Sequence, residues 1–238
     1  MATPPSILLS VCRDVRFRPA PGHTSAADLR AAKFRQAAIG QTRFGRRCYF
    51  CDFGFGQGDD FEVHHLDGDH TNTQPDNLVP VCVWCHAPWH LDLLALRWRE
   101  DPGQIIYLPE IKQAQLNNLL QVIAYAKAEQ QRQGKLTDPN ATATGSLPKA
   151  NTLYIELARR SQWVEQGREG LSQPAILARV LTEMSEEDYR QRDTLLQGLR
   201  YLPPEGRLVE QAVPWHEPGA AFAALDVSSW PSIAGLNA

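Results

Sequence analysis

The stretch from Cys48 to His90 constrains this chain more than any other. Cys48-Tyr-Phe-Cys51 and Cys82-Val-Trp-Cys85 are two Cys-x-x-Cys pairs separated by thirty residues. His64-His65 lies between them, and His86 and His90 follow the second pair. Each pair puts two sulfurs on one tight turn. Two such turns close a tetrahedral zinc site, which holds a small core together without extensive packing. A redox dithiol needs one pair only. Two pairs enclosing the aromatics Tyr49, Phe50 and Trp84 read as structural zinc on Cys48, Cys51, Cys82 and Cys85.

Bulk properties agree with that chemistry. Of five cysteines, four sit in the pairs, and Cys12 ends an apolar run, where a buried thiol is expected. This usage suits metal binding in a reducing compartment better than a disulfide scaffold. No run of about 18 apolar residues occurs, so no membrane span is expected. The N-terminus lacks the basic and long apolar regions of a secretory signal. The net charge of −3 hides an asymmetry. Residues 1–47 hold nine Lys/Arg against Asp14 and Asp28, a net +7. Residues 48–110 hold Arg97 and Arg99 against eleven Asp/Glu, a net −9. A protein that grips a phosphate backbone wants cationic charge at its site; here the site is acidic and the basic arm lies upstream.

Along the chain, residues 7–12 (Ile-Leu-Leu-Ser-Val-Cys) read as a strand. Ser25 caps a basic helix over about 26–40. Phe61-Glu-Val-His-His and Leu78-Val-Pro-Val read as two strands, Pro80 confining the second to an edge or bulge. A helix is predicted from Val83 to about Trp98. Gln104-Ile-Ile-Tyr-Leu is a short strand, and Pro109 opens a long helix to about Arg132 with apolar residues at helical spacing. Residues 134–149 read as a loop. Three helices are predicted over about 150–166, 173–184 and 186–200, the last opened by Ser185-Glu-Glu-Asp188. The proline-bearing stretch 206–238 reads as a tail. Trp84, Trp89 and Trp98 read as core or interface.

The histidines permit a second site. Successive strand side chains face opposite ways, so His64 and His65 take different roles. One can hold a divalent metal while the other accepts a proton from an attacking water. His86 and His90, four apart, share a helical face. His64, His86 and His90 are therefore candidate ligands for a catalytic metal (Mg2+, Mn2+, Ni2+ or Zn2+). His65 is the candidate general base, and Asn77 the residue that holds the backbone around it. Pro88 is tolerated between His86 and His90 only near a helix start.

This set resembles the HNH, or ββα-metal, nucleases: His64-His65, Asn77, His86 and His90 are similar to the colicin-type constellation, and the cysteine pairs resemble the zinc-stapled HNH proteins of phage resolvases and restriction enzymes. The likeness covers about 45 residues and implies a metal-dependent endonuclease or nickase.

A second resemblance runs from about residue 5 to about 205. Arg43-Phe-Gly-Arg-Arg-Cys-Tyr-Phe-Cys51, Leu66-Asp-Gly-Asp-His-Thr-Asn72, Asn77-Leu-Val-Pro-Val-Cys82, Ile106-Tyr-Leu-Pro-Glu110, Gln115-Leu-Asn-Asn-Leu119, Ser172-Gln-Pro-Ala-Ile176 and Leu199-Arg-Tyr-Leu-Pro203 resemble the DotN (IcmJ) family of type IVB secretion and related conjugation systems. The resemblance implies an HNH-like zinc fold that sits with other coupling-complex subunits on the C-terminal region of a DotL-like coupling ATPase. It implies a cytoplasmic location, at the inner-membrane face, and a role in assembly and substrate recruitment.

The expected fold is α+β: a zinc-stapled ββα core at 48–108, an N-terminal strand and basic helix at 1–47, helices at 109–205 and a tail at 206–238. The leading expectation is a coupling-complex subunit, the alternative an active HNH nuclease, and the third a zinc module that binds DNA through its basic arm.

Overall fold

The computed structural model describes residues 4–13, 45–56, 61–132, 147–217 and the isolated positions 33, 36, 37, 39 and 220. Among the described residues the fold mixes helix and strand, with two antiparallel two-stranded sheets. The first joins β1 (Glu62–His65) to β2 (Leu78–Val81), with Glu62 opposite Val81 and His65 opposite Leu78. A one-turn helix α1 (Val83–His86) follows directly. Pro80 pairs with Val63 and turns its carbonyl to the Tyr49 amide at 2.8 Å, so its missing N–H costs nothing in this narrow sheet.

The helix predicted over 83–98 is divided. After α1 the chain passes through a 3-10 turn (Ala87–His90) and resumes as α2 (Leu91–Arg97). Pro88 lacks the amide that would continue the ladder. Residues 7–12, expected as a strand, join neither sheet and dock at this break instead. Ser10 donates to Pro88 O at 2.8 Å and accepts from Leu91 N at 3.0 Å. The Tyr189 hydroxyl, 2.7 Å from Ser10 Oγ, and Asp92 Oδ1, 3.1 Å from Cys12 N, hold the same segment.

The second sheet joins β3 (Gln104–Tyr107) to β4 (Leu199–Leu202), nearly a hundred residues later. The long helix α3 (Gln113–Arg132) begins four residues after Pro109, and α4 (Leu147–Arg159) and α5 (Ser161–Gly167) follow. Then come α6 (Pro174–Glu183), α7 (Glu186–Arg190) and α8 (Arg192–Leu195). Ser185 caps α7 by accepting from Asp188 N, as its sequence predicts. The helix expected to run to 200 instead stops before Gly198, whose φ of +83° turns the chain into β4.

The expected tail is also corrected. Residues 205–216 form α9 (Glu205–Ala212) and a 3-10 turn (Val213–His216), with Leu208, Val209, Ala212 and Trp215 buried. α9 packs along α3, and Lys127 pairs with Glu205 at their contact. Residues 221–238 and most of the predicted basic helix lie outside the described residues; positions 33, 36, 37 and 39 of that helix are helical. α6 packs on α2 and α5 on β3, so one apolar core runs from the cysteine module through α3 to β4.

Candidate metal centre

The first cysteine turn is built by backbone. Cys48 N donates to Phe53 O at 2.8 Å and Asp52 N to Cys48 O at 2.9 Å. Asp52 takes a left-handed φ of +62°, and Arg47 grips its carboxylate through two contacts of 2.6 and 2.7 Å. The Arg47 guanidinium holds the Asp52 carboxyl below its usual pKa. The second turn lies where β2 runs into α1, with Cys85 N and His86 N both donating to Cys82 O.

These turns bring Cys48, Cys51, Cys82 and Cys85 together, all buried, their four sulfurs within 4.8 Å of one another. Cys51 Sγ and Cys82 Sγ stand 3.7 Å apart. Two sulfurs bound 2.3 Å from a tetrahedral zinc stand about 3.8 Å apart. The donor set therefore fits a zinc-sized tetrahedral ion. Burial pushes the Cys82 and Cys85 thiols well above their usual pKa. Burial opposes ionisation of Cys48 too, yet hydrogen bonds from Cys51, Cys82 and Cys85 hold it well below the usual value. A divalent cation would let all four ionise.

The histidines gather on the adjoining face. His64 is 5% exposed, with its ring 4.7 Å from Trp89 and 5.4 Å from Phe50. His65 points the other way, half-buried, with its ring 5.0 Å from His70. His86 Nε2 lies 3.2 Å from His90 Nε2, and roughly 3.3 Å separates two nitrogens that share a tetrahedral zinc. His64 is not drawn in as closely: its ring is 5.5 Å from that of His86, and the three rings do not meet the spacing that the cysteines meet.

Glu62 was missed in the sequence. It is two residues before His64 on β1, and its carboxylate reaches His86 Nδ1 at 2.7 Å and Arg97 at 2.5 Å. Burial would raise the Glu62 pKa, but His86 and Arg97 together bring it down to about 2. The ionised carboxylate can only accept, so His86 holds a proton on Nδ1 and directs Nε2 towards His90. Burial, helped by neighbouring imidazoles, pushes His64 down to about 3, His65 to about 4 and His90 well below its usual value. Neutral rings are the form that binds metal.

Asn77 is buried behind the loop after His65. Its side chain donates to Asp67 Oδ1 and Asn72 O, both at 2.9 Å, and accepts from Asp67 N at 3.0 Å; its carbonyl takes the Leu66 amide. His70, also missed, stacks at 5.4 Å on His90.

Fold and site define a mixed helix-and-strand protein with a buried four-cysteine group able to hold a metal ion. No helix among the described residues is long and apolar enough to cross a membrane. No family model matches the chain. It is similar to the type 4 apparatus protein DotN of Legionella pneumophila strain Philadelphia 1, with 29% identity over 204 residues, which span 85% of this chain and 89% of that protein.

Proposed function

We propose that this protein is a zinc-holding, DotN-like subunit of a type IVB-like secretion or conjugation coupling complex. In this reading it works at the cytoplasmic side of the inner membrane, docking on the C-terminal region of a coupling ATPase and helping to recruit substrate. The carrying observation is the extent of the likeness to DotN, which covers most of both chains rather than the cysteine module alone. The buried four-cysteine group supports zinc as the structural ion. Packing supports the same role: α9 and the β3–β4 hairpin extend one core well beyond the cysteines, a mass that nuclease chemistry does not require.

Co-expression with the C-terminal segment of the cognate coupling ATPase tests the reading. The two should co-purify, and the double change His64→Ala with His65→Ala should leave the complex intact. A folded wild type that fails to capture the segment would overturn the proposal.

One observation favours a second reading, an HNH-like endonuclease or nickase. The histidine cluster, with Glu62 orienting His86 and Asn77 securing the loop behind His65, is a workable arrangement for a metal and a base. Charge opposes it. Of the nine cations in residues 1–47, Arg13 is engaged by Glu186, Arg47 by Asp52 and Arg46 by the carbonyls of Phe55 and Gly56.

A further inference from the structure

All four cysteine sulfurs receive an N–H donor, and three of them receive it from side chains of one distant helix. Cys82 N donates to Cys48 Sγ at 3.3 Å. Asn117 Nδ2 donates to Cys85 Sγ at 3.2 Å, and Gln121 Nε2 lies 3.7 Å from Cys51 Sγ and 3.8 Å from Cys82 Sγ. Asn117 and Gln121 are one turn apart on α3, at most 3% exposed, in the apolar stripe that also carries Leu116 and Leu120. A buried amide is costly unless it is bonded. These amides are placed where four thiolates around a dication would leave a net charge of about −2 to be offset.

The contacts continue away from the sulfurs. Asn117 Nδ2 also bonds Trp84 O at 3.1 Å, and its Oδ1 accepts from Gln113 Nε2 at 2.9 Å. Gln113, one turn earlier, closes on β4: Nε2 donates to Tyr201 O at 2.9 Å and Oε1 accepts from Tyr201 N at 2.8 Å. Three buried amides spaced four residues apart thus form a continuous ladder from the sulfurs to the second sheet.

We propose that Gln121, Asn117 and Gln113 form the outer shell of the metal centre, and that this shell links metal loading to the docking of α3 and β4. Asn117 and Gln121 are positioning residues: they stabilise the thiolate charge and fix the sulfurs. Gln113 passes the constraint to Tyr201. The inference rests on the reading of the four cysteines as a zinc centre.

Two near-isosteric changes in the full-length protein test it. Gln121→Met keeps the length and removes the donor; Asn117→Asp keeps the shape and replaces the donor with an acceptor facing sulfur. Zinc affinity measured by chelator competition should fall roughly 10–100-fold in each. In cobalt-substituted protein the sulfur-to-metal charge-transfer bands should shift relative to wild type. Should Asn117→Asp fail to fold, Gln121→Met alone decides. Removing zinc from the wild type should also accelerate amide hydrogen exchange at Tyr201 and along α3. Wild-type affinity and unshifted bands in folded variants would overturn the outer-shell role; unchanged exchange at Tyr201 on zinc removal would overturn the linkage. A wild type that binds no zinc is a separate result: it removes the zinc reading, and this inference falls with it.

Discussion

Glu62 Oε2 lies 2.7 Å from His86 Nδ1, and this contact decides which nitrogen His86 presents to His90. A carboxylate behind a ligand imidazole fixes its tautomer and raises its basicity. Arg97 on α2 holds the other Glu62 oxygen, so strand and helix meet through one carboxylate. Glu62→Gln removes the charge that fixes the proton on Nδ1. Titration calorimetry of the zinc-loaded protein with Ni2+ should show affinity at the histidine cluster lowered by roughly 10–100-fold. Equal affinity in the variant would place Glu62 outside the function of the site.

The same cluster sets a pH dependence. His64 and His65 are held down to about 3 and about 4 by burial, against 6.5 in an unfolded chain. Below pH 6.5 the unfolded state therefore binds protons that the folded state refuses, and stability falls as pH falls. Their contribution is fully present above about pH 6.5 and is lost progressively towards pH 4 and below. Glu62 acts in the same direction lower down, between its usual 4.5 and about 2. Thermal melts from pH 7.5 to 4.5 should show a falling midpoint, and His64→Phe should flatten the slope. A pH-independent midpoint in the wild type would contradict the burial of neutral imidazoles.

What the sequence made legible followed from spacing. Two Cys-x-x-Cys pairs can meet only if the intervening strands fold back, and β1 and β2 do so. Alternation along β1 separated His64 from His65. The capping serine at 185 and the strand at Gln104 were read from local chemistry. The misses are long-range. β4 is short and its partner is nearly a hundred residues earlier, so no local pattern distinguishes it from the end of a helix; its mark is Gly198. Residues 7–12 have strand composition, yet the unpaired groups they satisfy are those exposed by Pro88. The prolines after 213 suggested a tail, while Leu208, Val209 and Trp215 were already a buried face. Gln113, Asn117 and Gln121 did carry a signal: polar residues every fourth position within the apolar stripe of α3.

Gly103 should be intolerant of a side chain. Its φ is +77°, and an added Cβ would sit 2.5 Å from Leu202 O and 2.9 Å from the Tyr201 ring. The positive φ alone costs on the order of 1–3 kcal/mol, and the backbone oxygen cannot move without breaking the β3–β4 pairing. Gly103→Ala should lower the denaturation midpoint while leaving metal stoichiometry unchanged. An unaltered midpoint would show that the hairpin is looser than its register implies.

Zinc removal should be more damaging than any single core change. A structural zinc contributes folding free energy on the order of 10 kcal/mol in small modules, whereas truncating one buried leucine costs about 2–5 kcal/mol. The expected content is about one tightly held zinc per chain. Cys82→Ser removes one of the four gathered sulfurs at the junction of β2 and α1 and should give an unfolded or aggregating product. Metal analysis of a folded wild-type preparation that finds no zinc would end the zinc reading.

The last prediction separates the two functions. Eleven carboxylates crowd residues 48–110, and three of the four described cations of the upstream arm, Arg13, Arg46 and Arg47, are already engaged. The stretch that carries the histidines, residues 48–110, has a formal net charge of −9, which disfavours a phosphate backbone. Weak or absent nicking of supercoiled plasmid is therefore expected in Mg2+, Mn2+ or Ni2+. If the site cleaves, His65 is the residue placed to act as base. It stands on the less buried face of β1, and Asn77 braces the loop behind it. His65→Ala would then lower the rate by roughly 10²–10⁴-fold without loss of zinc. Cleavage would also fall steeply with salt if basic residues of the arm supply the phosphate contacts. Robust wild-type nicking that His65→Ala abolishes would move the nuclease reading ahead of the coupling-complex reading.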